Sequence, residues 1–231
     1  MKSIVIATIK SWNIDFAKKF QKEAAARDIK VHIITEKIDL TLDFLRSCNP
    51  RYIFFPHWSW IIPHEVFAAF ECIVFHMTDL PFGRGGSPLQ NLIVQHLYDS
   101  KISAIRVVEE LDAGDVYLKQ AISLRRGSAT EIFQTVAEII FEKMIPEIIA
   151  KEPKPIPQQG EITSFKRRKP EESNMRIANF VVLTDVYDFI RMLDGEGYPP
   201  AFLQLNNVKI SFVKAINKGN KVIARVEITL E

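Results

Sequence analysis

Short runs in which β-branched and aromatic residues follow one another almost unbroken constrain this fold most strongly. Ser3 to Thr8, Tyr52 to Phe55 and Cys72 to Phe75 are runs of this kind. A strand with one solvated face alternates apolar and polar residues, so an unbroken run indicates a strand buried on both faces. We therefore expect a sheet that is covered on both sides.

Helical patterns separate these strands along the first hundred residues. Ile14 to Arg27, Leu40 to Cys48 and Leu89 to Tyr98 carry apolar residues at helical spacing, and Lys30 to Thr35 is a further strand. Pro63 begins a short helix. Alternation of strand and helix predicts an α/β fold with a doubly wound, mostly parallel, Rossmann-like sheet.

The pattern changes after residue 100. Residues 103–109 and 116–122 form a predicted hairpin at the sheet edge, and a long helix is expected over 128–150. A Pro-rich connector begins at Glu152, and a small α+β unit follows, with a helix over 184–193 and three strands over 201–205, 208–216 and 221–230. We therefore predict a catalytic domain at 1–151 and a linker plus small C-terminal subdomain at 152–231.

Composition limits which classes of partner and which cellular compartment we expect for this chain. The 231 residues carry 30 basic and 28 acidic side chains, a net charge of +2, which predicts no nucleic-acid partner from electrostatics. The two cysteines, Cys48 and Cys72, need no disulfide and suit a reducing cytoplasm. No segment approaches the ~20 apolar residues that a bilayer requires, so no membrane association is expected.

The stretch from Glu71 to Asn91 combines a buried strand, a histidine and an open loop. His76 follows the strand directly, and a Pro- and Gly-rich loop leads to Ser87 and Pro88, a predicted N-cap and first helical residue. Open α/β sheets build their sites at the carboxyl ends of strands. We therefore expect a functional site at His76.

Other chemistries lack their motifs here. No G-x-G-x-x-G, P-loop or G-x-S-x-G sequence occurs, and the histidines and cysteines show no metal-ligand spacing, so no metal is expected. His76 and the acidic turn Asp112 to Asp115 remain. If the strand before this turn lies beside the His76 strand, the turn falls at the same edge of the sheet. A His–carboxylate pair there suits proton transfer from an attacking amine or stabilisation of an oxyanion.

At these residues the chain resembles the folate-dependent formyltransferases. The family's core motif, N-x-H-x-S-L-L-P followed by R-G and P-x-Q, is matched by His76, Leu80-Pro81, Arg84-Gly85, and Pro88 with Gln90. Its L-D-x-G motif matches Leu111 to Gly114. The family's Asn, two residues before the histidine, is Val74 here, and valine cannot donate a hydrogen bond to an oxyanion.

The resemblance implies 10-formyltetrahydrofolate as formyl donor, with His76 and Asp112 as catalytic residues. His57, at the end of the neighbouring strand, and Thr78 are candidates to replace the missing Asn. The expected donor-binding residues are Trp58, Ser59, Trp60, Ile61, Leu80, Pro81 and Asp112. The expected substrate-binding residues are Lys10, Trp12, Arg84 and Gly85.

Each assignment has a structural alternative. His76 could be a hydrogen-bonded core histidine, and Asp112 a turn residue with Asp115 as a competing carboxylate. His57, Trp58 and Trp60 could pack in the interior with a polar handle. Lys10 and Trp12 could simply begin a helix, Arg84 could be a solvated loop cation, and the run Lys166–Lys169 receives no role.

The formyl acceptor is predicted from resemblance alone. The small C-terminal unit is similar to that of the sugar-amine formyltransferases, which implies a nucleotide-linked amino-dideoxy sugar bound for surface glycans. A methionyl-tRNA or other amine formyltransferase is a weaker alternative. Loss of the Asn leaves open a non-catalytic folate or nucleotide-sugar binding protein, and another acyl donor is a further option. The edges of the small sheet, and relatives of this type, predict a homodimer.

Overall fold

A computed structural model describes residues 2–230, and it divides the chain into two compact units. The first takes in residues up to 84, 101–122 and 134–164, and the second 85–100, 123–133 and 165 onwards. Each unit groups residues that are close in space, so stretches of the two units alternate along the sequence. The predicted boundary near residue 152 stays a prediction.

Eleven strands are described within residues 2–230. They are β1 Lys2–Ala7, β2 Ile29–Ile34, β3 Tyr52–Phe55, β4 Cys72–His76, β5 Arg84–Gly85, β6 Asp99–Arg106, β7 Val116–Ser123, β8 Ser164–Phe165, β9 Ala201–Leu205, β10 Val208–Asn217 and β11 Val222–Leu230. Six of them form the main sheet in the order β2-β1-β3-β4-β6-β7. Strands β1 to β4 pair in parallel, and β6 is antiparallel to β4. The predicted mostly parallel α/β fold is confirmed.

Seven α-helices accompany the strands in the described part of the chain. They are α1 Ser11–Ala25, α2 Leu42–Cys48, α3 His64–Ala69, α4 Pro88–Val94, α5 Ala129–Ile139, α6 Ile145–Lys151 and α7 Leu183–Arg191. Helix α2 ends at Cys48 as predicted but begins at Leu42, two residues after the predicted start: the Thr41 hydroxyl accepts from the Phe44 N–H at 3.3 Å, and Asn49 takes the left-handed conformation after the last turn.

The long helix predicted over 128–150 is interrupted. Between α5 and α6, residues Ile140–Met144 form a π-helical segment. Pro146 is the second residue after this segment, and a proline ring removes an N–H and collides with the carbonyl of the preceding turn in a regular α-helix. The prediction of one uninterrupted helix over 128–150 was therefore wrong in its middle.

Burial in the main sheet matches the unbroken apolar runs. Every residue of β3 is buried, and Ile73 on β4 and Val5 on β1 have no exposed surface. Strands in this position make contacts on both faces, which is the condition the unbroken runs indicated.

The second unit has a polar centre around Arg191. This side chain is 2% exposed, and its Nε donates to the Asp188 carboxylate at 2.6 Å while its other nitrogens donate to the carbonyls of Gly127 and Leu124. The Tyr98 hydroxyl donates to the same carboxylate at 2.6 Å. Burial, together with the bond to Asp188, raises the pKa of Tyr98 to about 12.

Candidate active site

Strand β4 presents Val74 and His76 on one face. Val74 lies between Phe55 of β3 and Ile105 of β6, and His76 lies opposite Ser103. Residues two apart on a strand point to the same side, so the position of the family Asn is next to His76 in space. His76 is buried, with 8% of its surface exposed.

The Gly83 carbonyl orients the His76 ring. His76 Nε2 lies 2.8 Å from this oxygen, and because a carbonyl only accepts hydrogen bonds, Nε2 carries the proton. Nδ1 then faces Asp112, 3.5 Å from Oδ2, and both side chains are about nine-tenths buried.

The two candidates for replacing the Asn lie in different surroundings. Thr78 is fully buried, and its hydroxyl donates to the same Gly83 carbonyl at 3.4 Å. The His57 ring packs edge-on against Trp12, with centroids 5.0 Å apart. The structure therefore brings Thr78 to the carbonyl that orients His76, and a catalytic role for Thr78 or His57 stays a prediction.

The loop that carries Asp112 does not leave the sheet at the expected edge. Because β6 is antiparallel to β4, Arg106 at its end lies opposite Ile73, near the start of β4. The 107–115 loop must therefore turn back along the sheet to bring Asp112 to His76. Strand β6 does lie beside β4, as predicted. The expectation that the acidic turn follows the same end of both strands was wrong, because it assumed that the two strands are parallel.

Close packing at the base of this loop explains its glycine. A Cβ on Gly114 would lie 1.8 Å from the Arg106 carbonyl oxygen, which no side chain tolerates. Asp112 itself has a φ of 55°, in the left-handed region that aspartate adopts more readily than most residues. The L-D-x-G pattern is thus what this turn requires.

Gln158 is a site residue that the sequence analysis missed. Its Nε2 donates to the carbonyls of Asp112 at 2.7 Å and of Gly114 at 2.9 Å, while its Oε1 accepts from Arg84 at 2.9 and 3.2 Å. Both polar atoms of the Gln158 side chain therefore connect the loop that carries Asp112 to the loop that carries Arg84. Nothing in the Pro-rich connector singles this residue out, because its partners are more than forty residues away.

Arg84 makes internal contacts in addition to those with Gln158. Its Nη1 lies 2.8 Å from the Glu110 carboxylate, and the arginine side chain is 11% exposed. These contacts connect the R-G loop to the 107–115 loop. The substrate-binding role predicted for Arg84 stays a prediction. At the neighbouring Gly85, with a φ of 99°, a Cβ would lie 2.5 Å from the Phe165 carbonyl oxygen.

Two lysines hold the start of the loop that follows β4. Lys101 lies 2.9 Å from the Asp79 carboxylate, and Lys119 bonds both that carboxylate and the Leu80 carbonyl. Burial alone would raise the pKa of Asp79, but the two lysines outweigh it and lower this pKa below its usual value. Leu80 and Pro81 are buried and joined by a cis peptide bond.

The segment predicted to line the folate is part buried and part open. Trp58 is half-buried, packs against Trp60 with ring centroids 4.7 Å apart, and its buried Nε1 has no hydrogen-bond partner within residues 2–230. Ser59 is exposed, Trp60 is 36% exposed and Ile61 is 80% exposed. Donor binding by these residues stays a prediction.

The ends of β1 and β3 are tied together beside Trp12. The Thr8 hydroxyl donates to the Pro56 carbonyl at 2.7 Å, and the buried Asn13 amide donates to both Thr8 and Pro56. Lys10 has a φ of 75° and precedes α1 directly. The binding roles predicted for Lys10 and Trp12 stay predictions.

Residues 2–230 were also searched for metal ligands, membrane-spanning helices and cavities. No group of three or more His, Cys, Asp or Glu side chains that could hold a metal ion is found among them. Over the same residues, no helix is both long and apolar enough to cross a membrane. A cavity of about 710 Å³, lined by Phe20 and Phe141 among others, does not include His76 or Asp112 in its walls.

A family model and a solved structure both carry the name methionyl-tRNA formyltransferase. A family model described as the C-terminal domain of methionyl-tRNA formyltransferase matches residues 170–229. A solved structure of a methionyl-tRNA formyltransferase from Clostridium thermocellum is 52% identical, has a TM-score of 0.95, and each chain is covered completely by the other.

Curated relatives carry the same name at lower identity. The methionyl-tRNA formyltransferase of Malacoplasma penetrans is 22% identical over 95% of this chain and 66% of its own length. That of Bacillus cytotoxicus is 28% identical over 69% of this chain and 52% of its own length. The chain therefore spans between about half and two thirds of these relatives.

These findings overturn two predictions. The predicted nucleotide-sugar acceptor, with its place in glycan biosynthesis, is wrong, because the 52% identical structure and the curated relatives are named for methionyl-tRNA. The predicted absence of a nucleic-acid partner is wrong on the same finding. A net charge averaged over the chain conceals local clusters: Lys166, Arg167 and Lys169 are all exposed.

Proposed function

The chain belongs to the formyltransferase family, and we propose that it transfers a formyl group from 10-formyltetrahydrofolate to the amine of methionine carried on tRNA. The buried pair of His76 and Asp112, 3.5 Å apart, is the observation that carries this proposal within the structure. It occurs in a chain that matches a methionyl-tRNA formyltransferase over the full length of both. The reaction belongs in the cytoplasm, where charged tRNA is made.

The residues around β3 and β4 fit a folate. The Trp58 indole N–H is a buried donor without a partner in residues 2–230, which a polar group of a bound pterin would satisfy. Trp60 and Ile61 offer exposed apolar surface beside it. The bound donor supplies the formyl carbon that the amine attacks.

His76 and Asp112 divide the proton chemistry. The Gly83 carbonyl keeps one proton on Nε2, so a second proton places an N–H at Nδ1. That N–H stabilises the negative charge that develops on the formyl oxygen. The Asp112 carboxylate accepts the proton that the attacking amine loses and returns it to the leaving nitrogen of the folate, so no proton is gained or lost overall.

Gln158 and Gly83 orient these two groups. Gln158 holds the backbone on both sides of Ala113 through the carbonyls of Asp112 and Gly114. Gly83 holds the imidazole in one tautomer. Orientation of this kind supplies much of the rate when two reactants are brought together in one cleft.

The presence of Val74 instead of the family Asn supports one alternative function: binding of folate without turnover. Its side chain packs against Leu80, Ile105 and Val116 and places no polar atom of its own beside His76. Removing one oxyanion donor typically costs about a hundredfold or more in rate. If the chain is an active enzyme, the Thr78 hydroxyl, which lies 3.4 Å from the Gly83 carbonyl oxygen, takes the place of the missing Asn side chain.

A direct test is turnover with purified components. The protein is incubated with 10-formyltetrahydrofolate and methionyl-tRNA, and tetrahydrofolate release and formylmethionine are measured together. Free methionine and uncharged tRNA serve as acceptor controls. Formylation of methionyl-tRNA alone is expected; folate binding without product would leave the non-catalytic function, and absence of both would refute the proposal.

A variant pair ties turnover to the site. His76→Ala is expected to lower kcat by about a hundredfold to ten-thousandfold, the range for removing a positioned acid–base group. His64→Ala, at an exposed histidine of α3, is the matched control and should keep full activity. Equal activities in the two variants would remove His76 from the mechanism.

A further inference from the structure

The connector that follows α6 is hydrogen-bonded to both loops of the candidate site. Ile156 exchanges backbone hydrogen bonds with Val116, at 2.8 and 2.9 Å. Gln158 bonds the loop that carries Asp112, and the chain then reaches the loop that follows His76. A segment that the sequence predicts as a linker is therefore in contact with both groups of motif residues.

Thr163 holds the loop after His76 through three hydrogen bonds. Its hydroxyl accepts from the Gly83 N–H at 2.7 Å, its carbonyl accepts from the Arg84 N–H at 3.0 Å, and its own N–H donates to the Pro81 carbonyl at 3.3 Å. The side-chain bond is the shortest of the three. Thr163 thus bonds the peptide units on both sides of the Gly83 Cα.

The peptide unit between Gly83 and Arg84 connects Thr163 to His76. Its carbonyl oxygen lies 2.8 Å from His76 Nε2, and its N–H donates to the Thr163 carbonyl. Hydrogen bonds in a chain polarise and strengthen one another. Gly83 has a φ of 72°, and a glycine has no side chain to restrict its backbone. The Thr163 hydroxyl therefore restrains a residue that has little restraint of its own.

The position of the Gly83 carbonyl decides where the imidazole proton of His76 lies. Two acceptors face the ring: this carbonyl is at Nε2, and the Asp112 carboxylate is 3.5 Å from Nδ1. A neutral imidazole has one N–H, so each acceptor favours a different tautomer. If the Gly83 carbonyl moved away, the proton would shift to Nδ1. The tautomer of His76 thus depends on Gly83 being held in place.

We propose that Thr163 is a positioning residue of the site, which holds Gly83 and thereby keeps the His76 ring in the Nε2–H tautomer. Thr163 acts through Gly83 and has no described contact with His76 or Asp112. Its effect on formyl transfer rests on the proposed function, whereas the tautomer is a property of the protein alone.

The ring nitrogens of His76 report the tautomer directly. Long-range proton–nitrogen NMR spectra of the full chain with isotope-labelled histidine are recorded up to a pH at which the ring is neutral, and His76→Gln assigns the signals. The wild-type ring is expected to carry its proton on Nε2. Thr163→Val keeps the branched shape but removes the acceptor, and it should move the proton to Nδ1 in most molecules. Thr163→Ser keeps the hydroxyl and should retain the wild-type signals.

Turnover with 10-formyltetrahydrofolate and methionyl-tRNA gives a second readout. Thr163→Val should lower kcat by about fivefold to a hundredfold with little change in either KM, because the Gly83 N–H loses its acceptor. Thr163→Ser should recover most of this loss. Thr163→Ala removes the same acceptor without the branched side chain, and it should shift the tautomer in the same direction.

Thr130→Val is the matched control. Its hydroxyl on α5 donates to the Asp194 carbonyl at 3.3 Å, so this variant also removes a part-buried threonine hydroxyl. It should keep the wild-type tautomer and kcat. A wild-type ring protonated at Nδ1, a tautomer that Thr163→Val and Thr163→Ala leave unchanged, or equal effects at 163 and 130 would each overturn the proposal. A wild-type chain without turnover would refute the proposed function, and the NMR result would still decide the role of Thr163.

Discussion

Strands β4 and β11 show two ways in which a strand of this chain is used. β4 lies inside the main sheet, where Ile73 has no exposed surface and His76 is buried with Asp112. β11 lies at an edge, and Ile228 is 68% exposed. The first strand holds His76 beside Asp112 where little water reaches, and the second leaves backbone and apolar surface open. Burial suits chemistry, whereas an open edge suits association.

The largest effect is expected where β4 meets the 107–115 loop. Asp112→Asn keeps the size of the side chain but removes the proton acceptor, so kcat should fall by about a hundredfold to ten-thousandfold. Steady-state formyl transfer with both substrates saturating measures it. Asp115→Asn is the control and should retain activity; the reverse result would assign the role to the competing carboxylate.

The difference in burial between the two strands is tested by matched truncations. Ile73→Ala leaves a cavity in the main sheet and should lower the free energy of unfolding by about 2–5 kcal/mol. Ile228→Ala removes exposed surface and should change it by less than about 0.5 kcal/mol in dilute protein. Urea unfolding measures both. Similar losses would contradict the contrast drawn between β4 and β11.

A variant of Gln158 is expected to have the next largest effect, because its side chain bonds the backbone of the Asp112 loop and Arg84 rather than His76. Gln158→Glu keeps an acceptor for Arg84 but loses both donors to the Asp112 and Gly114 carbonyls. The cost should be roughly 1–3 kcal/mol, and it should appear as lower kcat with little change in KM and a shifted pH–rate profile. Gln159→Glu, at the exposed neighbour, is the control. A loss of stability with unchanged kinetics would make Gln158 purely structural.

The second unit carries the exposed basic run, so its variants should affect the polyanionic substrate. Replacing Lys166 and Arg167 with alanine should raise KM for methionyl-tRNA and lower the dependence of log affinity on log salt by about one per lost phosphate contact. KM for the folate should not change. A double variant at Lys218 and Lys221, in the turn before β11, is the control for net charge. Equal effects would show that only overall charge matters.

The smallest effect concerns the polar centre of the second unit. The folded pKa of Tyr98 is raised to about 12, above the value near 10 of an unfolded chain. Its contribution to stability is therefore complete below pH 10 and is lost as pH rises towards 12. Thermal melts from pH 8 to 12 should show a flatter decline for Tyr98→Phe than for wild type. Tyr187→Phe is the control and should follow the wild-type slope.

The site was partly predictable because its motif residues are close in sequence. His76, Thr78, Leu80 and Arg84 lie within nine positions of one another, so one strand and one loop determine their order. Gln158 escaped prediction because hydrogen bonds across more than forty residues leave no local pattern. Ser87 was predicted as a side-chain N-cap and does begin α4, but its hydroxyl instead accepts from the Arg168 N–H at 3.1 Å.

The sequence by itself determined the longer strands, most of the helices and the residues of the two motifs, because burial on both faces and helical spacing are properties of consecutive side chains. Tertiary structure alone decided that β6 is antiparallel to β4, so that the 107–115 loop turns back to set Asp112 at 3.5 Å from His76. It also decided which strand of the small sheet remains an open edge. The direction of β6 and the path of the loop after it depend on contacts between distant segments, and no local pattern records them.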